Sequence, residues 1–261
     1  WGNNCQCAEC KALDEAEGSP IGSVLTGVNR VAELVETRHP DVFIHTFAYT
    51  YTRKAPKTIR PRHNVIVQLC TFECDFAQPF EQPGSPVNHL FYTDLQEWAA
   101  LTDKLIVWDY PINYWRFRMP HPMFQVYAPN IRAFAANHVI GVFEQMYLET
   151  EVDFGHLKAY MLARLMWDPA RDALAVRDEF LDRYYGPAAA HMKAFIAQSE
   201  EALRVADVEL GLYDRAPWID GALIEEAERT FQEALALTVD TPYYERVELA
   251  RLQLRQQKTR Q

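Results

Sequence analysis

Three acidic residues stand where carboxyl groups could carry proton chemistry. Glu144 directly follows the apolar run VIGVF, Asp109 follows LIVW, and Glu73 follows QLCTF. A carboxyl group at the end of a buried apolar strand emerges at the strand's rim. Hydrolysis of a glycosidic bond uses two such groups, one kept protonated as general acid and one ionised as nucleophile or base. Asp109 lies between Trp108 and Tyr110, and aromatic walls raise a carboxyl pKa by desolvation. Aromatic rings also stack on the apolar faces of sugars. Tyr49, near the end of VFIHTFAYT, and Trp115, in the loop INYWRFRMPHP, therefore join Trp108 and Tyr110 as candidate substrate contacts. Arg116 and Arg118 of that loop would suit an acidic sugar such as a uronic acid. The structural alternatives are a rim salt bridge for Asp109, a loop contact for Glu144 and plain packing for the aromatics. His45 shares a face with Phe43, Phe47 and Tyr49 by alternation, and is expected as a satisfied core residue.

The five cysteines form two groups. Cys5, Cys7 and Cys10 make Cys-x-Cys-x-x-Cys, and Cys70 and Cys74 lie on either side of Phe72. Three thiols so close could ligate zinc, with Cys70 or Cys74 as a fourth ligand. The alternative is a loop whose thiols pack or pair as disulfides. An odd count in a long chain is not the framework of a small disulfide-rich domain.

The elements that must position these residues are legible from periodicity. Residues 20–38 place Val24, Leu25, Val28, Val31, Ala32 and Val35 at helical spacing. Strands are predicted over 42–50, 64–72, 104–110 and 138–145, with helices near 92–102 and 122–137. The strands are short and nearly continuously apolar, as parallel strands are when covered on both faces. Strands alternating with helices specify an α/β fold, and crowded polar and aromatic residues at the strand ends favour a TIM barrel. From about residue 155 the strand signal stops. Segments 156–169, 170–185, 187–206, 220–238 and 242–260 read as helices rich in good helix formers. Four strands are half of an eight-stranded barrel. The expected organisation is the second half of a (β/α)8 barrel over 1–155 and a helical region over 156–261.

Composition narrows the function. Lys plus Arg number 26 against 36 Asp plus Glu, a formal net charge of −10, and no basic stripe suits nucleic acid. No run reaches the roughly 18 apolar residues of a membrane span. No Gly-x-Gly-x-x-Gly follows a strand, and no phosphate loop, nucleophile elbow or His-Glu-x-x-His occurs. No cofactor is expected. About 20 of the 33 aromatic residues fall between 41 and 150, around the proposed site.

The series of motifs resembles the bacterial domain-of-unknown-function 4838 family. The matching residues are Cys5, Cys7 and Cys10, VNRVAELVETRHPD (28–41), TFAYTYTRKAP (46–56), NVIVQLC (64–70), LIVWDY (105–110), IGVFEQ (140–145), LARLMWDP (162–169) and FLDRYYGPAA (180–189). The resemblance implies a glycoside-hydrolase-like barrel, an oligo- or polysaccharide partner, and a periplasmic or secreted setting. It also implies an Asn-Asp pair just before the cysteine motif, where this sequence opens WGNNCQC.

With Trp1 in place of Met, the N-terminal half of the barrel is expected upstream. Four parallel strands alone would expose two edges and an apolar face. The 261-residue chain is therefore expected to be poorly soluble or oligomeric alone, and an upstream-extended protein well behaved. Size-exclusion chromatography with thermal melting of both checks this; a cooperative monomeric melt of the short chain would contradict it.

Overall fold

Four apolar runs form the strands β1 (Ile44–Ala48), β2 (Val65–Cys70), β3 (Leu105–Asp109) and β4 (Val139–Glu144), each inside a segment predicted to be extended. The computed structural model describes residues 4–82, 84–147 and 153–258. The strands pair in parallel, in the order β1-β2-β3-β4. Their helices are α1 (Ala8–Glu17), α2 (Ile21–Glu36), α3 (Pro86–Ala99) and α4 (Phe124–Ala136). The chain is thus α/β, with one four-stranded parallel sheet.

Register decides which side chains share a face, because residues level with one another on adjacent strands point the same way. Thr46, Val67 and Leu105 are level, as are Ala48, Leu69, Val107 and Val142. The strand residues Ala48, Val65, Val67, Leu69, Leu105 and Val107 are fully buried, and α2 packs against β1 and β2. Ile21, Leu25 and Ala32 of α2 and Phe91, Leu95 and Trp98 of α3 are equally buried. The opposite face carries His45 and Phe47 of β1, Gln68 and Cys70 of β2, which are buried, Trp108 of β3 and Phe143 of β4. His45 is exposed, as are Phe47 at 46% and Phe143 at 50%. His45 is therefore not the core residue that alternation suggested. It shares a face with Phe47 as expected, but that face is the open one.

Two helices differ from their expected extents. The first cysteine motif does not lie in a loop: Cys7 is the N-cap of α1, and its Sγ accepts the Cys10 N–H at 3.5 Å. α3 starts at Pro86, inside the Pro/Gly-rich segment, and ends at Ala99. Proline is tolerated in a first helical turn, where its missing N–H has no intrahelical partner to lose.

No α-helix links β1 to β2. The segment contains Pro56 and Pro61, and side chains from α1 and α2 organise it instead. Glu17 accepts the backbone N–H groups of Thr58 (2.7 Å) and Ile59 (3.2 Å) and the Thr58 hydroxyl. These bonds, the Thr58 hydroxyl foremost, hold the Glu17 carboxyl below its ordinary range. Asn29 accepts the Arg62 N–H at 3.0 Å and donates to the Arg60 carbonyl at 2.9 Å.

The chain divides into two compact units. The first comprises Trp1–Cys74, Pro86–Asp109 and Ala133–Gln145, and so holds the whole sheet. The second comprises Asp75–Ser85, Tyr110–Arg132 and Met146–Gln261. It contains α5 (Gly155–Trp167), α6 (Ala173–Tyr185), α7 (Ala189–Ala206), α8 (Gly221–Thr238) and α9 (Tyr244–Lys258), each packed on the next. Asp172 and Asp220 cap α6 and α8 by accepting N–H groups of their first turns. Within this unit the buried Lys158 Nζ donates to Asp153 (2.8 Å) and to the carbonyls of Pro111 (2.9 Å) and His121 (3.1 Å). A buried ammonium so surrounded keeps its charge compensated.

The contrast between a fully buried and a half-exposed strand residue makes a direct prediction. Leu69→Ala should cost about 2–5 kcal/mol, the range for truncating a buried leucine. Phe47→Ala, on the open face, should cost less than about 1.5 kcal/mol, the upper worth of an aromatic pair beyond area burial. Denaturant melts of the two variants measure both.

Candidate functional site

The last residues of β3 and β4 are carboxylic acids on the same rung. Asp109 and Glu144 are register partners on adjacent parallel strands, so both project on the helix-covered side at the C-terminal end of the sheet. Asp109 is buried, and its Oδ1 accepts the Thr71 hydroxyl at 2.5 Å. Thr71 immediately follows β2, which puts its side chain level with the acids. The backbone of Gln145 closes the group by donating its N–H to the Asp109 carbonyl at 2.9 Å.

Glu144 is in a different environment. Part of the residue reaches the surface, but both carboxyl oxygens are shut off from solvent and accept no hydrogen bond among the described residues. Desolvation, reinforced by the charge of Asp109, pushes its carboxyl well above the ordinary value of 4.5. Two like acids side by side cannot ionise equally well, and the one without hydrogen bonds to its charged form keeps the proton. The pair is therefore asymmetric: a hydrogen-bonded Asp109 beside a Glu144 of raised proton affinity.

Alternation separates Trp108 from its neighbour. Trp108 projects on the open face, its ring 5.9 Å from Phe47 and 5.2 Å from Phe143 between centroids. Its indole N–H donates to the Gln145 side chain at 2.7 Å. It does not wall Asp109 as sequence adjacency suggested. Tyr49, just past β1, packs edge-on against Phe72 with centroids 5.7 Å apart. Its backbone N–H is held by the Thr52 hydroxyl at 3.1 Å.

Glu73 takes no part in the acid pair. It forms an ion pair with Arg53, whose Nε also donates to Asp94 at 2.7 Å. Tyr110 and Trp115 belong to the second compact unit. There Tyr110 is buried, 5.7 Å from the Tyr114 ring. Trp115 is half exposed, with the Arg116 and Arg215 guanidiniums 5.8 Å and 5.0 Å from its ring centre.

Cys70 and Cys74 are buried, and burial pushes the Cys70 thiol up to about 12. Neither belongs to the cluster formed by Cys5, Cys7 and Cys10, so the fourth zinc ligand expected from them is not supplied. No helix among the described residues is long and apolar enough to cross a membrane.

A family model described as "Domain of unknown function (DUF4838)" matches residues 2–197. The chain belongs to this family. The DUF4838 match spans the cysteine motif, all four strands and both acids, and ends within α7. No curated protein and no solved structure matches the chain.

Thr71 and Arg53 are the site-end residues that sequence reasoning missed, whereas it places Gln145 at a strand end but gives it no role. The signal for Thr71 was present: it directly follows a strand, and aligning strand ends would have put it on the rung of Asp109. Arg53 gave no such signal, because its partners lie 20 and 41 residues away.

The raised Glu144 carboxyl predicts a signed pH dependence. Between 4.5 and its higher folded value, the folded chain holds a proton that the unfolded chain has released. Stability from this group is therefore fully present below the unfolded value and lost as pH rises through the folded one, by up to about 1.4 kcal/mol per pH unit. Glu144→Gln removes the titration. Melting both proteins from about pH 5 to about pH 8 should show the variant gaining on wild type as pH rises. Parallel curves would contradict a proton-holding Glu144.

Proposed function

We propose that the sheet is four consecutive strands of a glycoside-hydrolase-like barrel, and that the protein acts on an oligo- or polysaccharide. The observation that carries this reading is the unequal acid pair at the C-terminal ends of β3 and β4. Barrel enzymes place their chemistry at those ends, and glycoside hydrolysis pairs a protonated acid with an ionised carboxylate. In this reading Glu144 protonates the departing glycosidic oxygen. Asp109, oriented by Thr71, is the nucleophile or the base that activates water. Approach is from the end of the sheet, where the two acids share their rung, rather than across the open face. Strand order supports the barrel: a doubly wound sheet reverses its order at a switch point, and β1-β2-β3-β4 has no reversal.

One observation favours a second reading, a non-catalytic carbohydrate-binding module. Both Glu144 oxygens are shut off from solvent, while Phe47 and Phe143 flank Trp108 on an open aromatic face. Such a face would bind sugar rings without cleaving a bond.

A glycan array combined with chromogenic glycosides separates the two. The hydrolase reading expects turnover, with Glu144→Gln and Asp109→Asn each lowering kcat by about 100-fold or more, the scale of a lost general acid or base. The binding reading expects glycan capture without turnover, weakened by Trp108→Ala and untouched at the acids. No capture and no turnover on any glycan would defeat both.

A further inference from the structure

The thiols of Cys5, Cys7 and Cys10 take no part in the sheet or in the acid pair, yet their three sulfur atoms all lie within 4.8 Å of one another. The spacing produces this. Cys7 is the N-cap of α1 and Cys10 lies in its first turn, so one helical turn stacks their side chains. Cys5 precedes the cap by two residues, and its sulfur lies within the same 4.8 Å span. Cys5 and Cys7 are exposed and Cys10 partly so, and all three are free thiols. An ion can reach them from solvent.

We infer that Cys5, Cys7 and Cys10 form a tris-thiolate site for a zinc-class ion, with the fourth coordination position left to water or an exogenous ligand. Zinc holds thiolates at about 2.3 Å in a tetrahedron, which sets the sulfurs roughly 3.8 Å apart. The present separations need to close by no more than about 1 Å to reach that value. Thiolate softness selects zinc, cadmium or cobalt over magnesium and calcium, which prefer oxygen. Among the described residues no fourth side chain joins the group, and three protein ligands with an open position are the pattern of accessible rather than closed zinc sites. The exposed start of α1 also favours the negative charge of bound thiolates, since the helix dipole is positive there. The site is independent of the saccharide reading and stands or falls without it.

The test uses the full chain, reduced and stripped of metal, titrated with Co2+ and with Cd2+. One equivalent should bind, with a thiolate-to-metal charge-transfer band and cobalt bands in the visible that report sulfur ligation. Cys5→Ser, Cys7→Ser and Cys10→Ser should each weaken binding by more than about 100-fold, the upper loss seen for second-shell partners alone. Cys7→Ser is the decisive variant, because serine remains a good N-cap and α1 should keep its helical circular dichroism while the ion is lost. Equal binding in all three variants, a disulfide between any two of these thiols under reducing conditions, or no thiolate band would each overturn the site.

Discussion

Consecutive parallel strands laid down in one direction force every crossover to the same side of the sheet, because such connections are right-handed. In this chain the order β1-β2-β3-β4 applies that constraint three times. α2, which precedes β1, packs against β1 and β2. Val67, Leu69, Leu105 and Val107 are fully buried on one face, while on the other His45, Phe47 and Phe143 are exposed beside the buried Gln68 and Cys70 of β2. The aromatic residues on the open face partly cover one another, which is why Trp108 sits between Phe47 and Phe143.

Register turns that constraint into chemistry. Because β3 and β4 end on the same rung, two acids that are 35 residues apart in the chain become neighbours. Their inequality follows from local hydrogen bonding. Asp109 has the Thr71 hydroxyl, whereas the buried Glu144 oxygens find no hydrogen-bond partner among the described residues. A buried carboxyl in that state is costly when charged and tolerable when neutral. Burial at the sheet end therefore raises the proton affinity of Glu144.

The β1–β2 connection shows how the fold manages without a crossover helix. Pro56 and Pro61 remove two backbone donors and disfavour helix. The loop's remaining polar groups need partners, and Glu17 and Asn29 supply them from α1 and α2. Glu17 also ties α1 to the β1–β2 connection, so the helix whose first turn holds Cys10 is anchored at its far end. The cysteine cluster is thereby built on a helix with a fixed C-terminus rather than on a free arm.

The amino-acid sequence determined the elements and their class. Contiguous β-branched and aromatic runs such as VIVQLC are strands wherever they fall, and Ala/Leu/Glu/Arg-rich segments are helices, because these preferences act over a few neighbouring residues. The motif series also carried the DUF4838 membership, and the strand-end positions of Asp109 and Glu144 could be read from the runs preceding them. Tertiary structure alone decided the rest. It put Trp108 and Asp109 on opposite faces, sent Glu73 to Arg53, left His45 exposed, and kept Cys70 and Cys74 apart from the other three thiols. The start of α1 at the cysteines was likewise masked by a short, weakly apolar stretch. Burial, pairing and proton affinity depend on the register between segments tens of residues apart, and no local preference encodes that register.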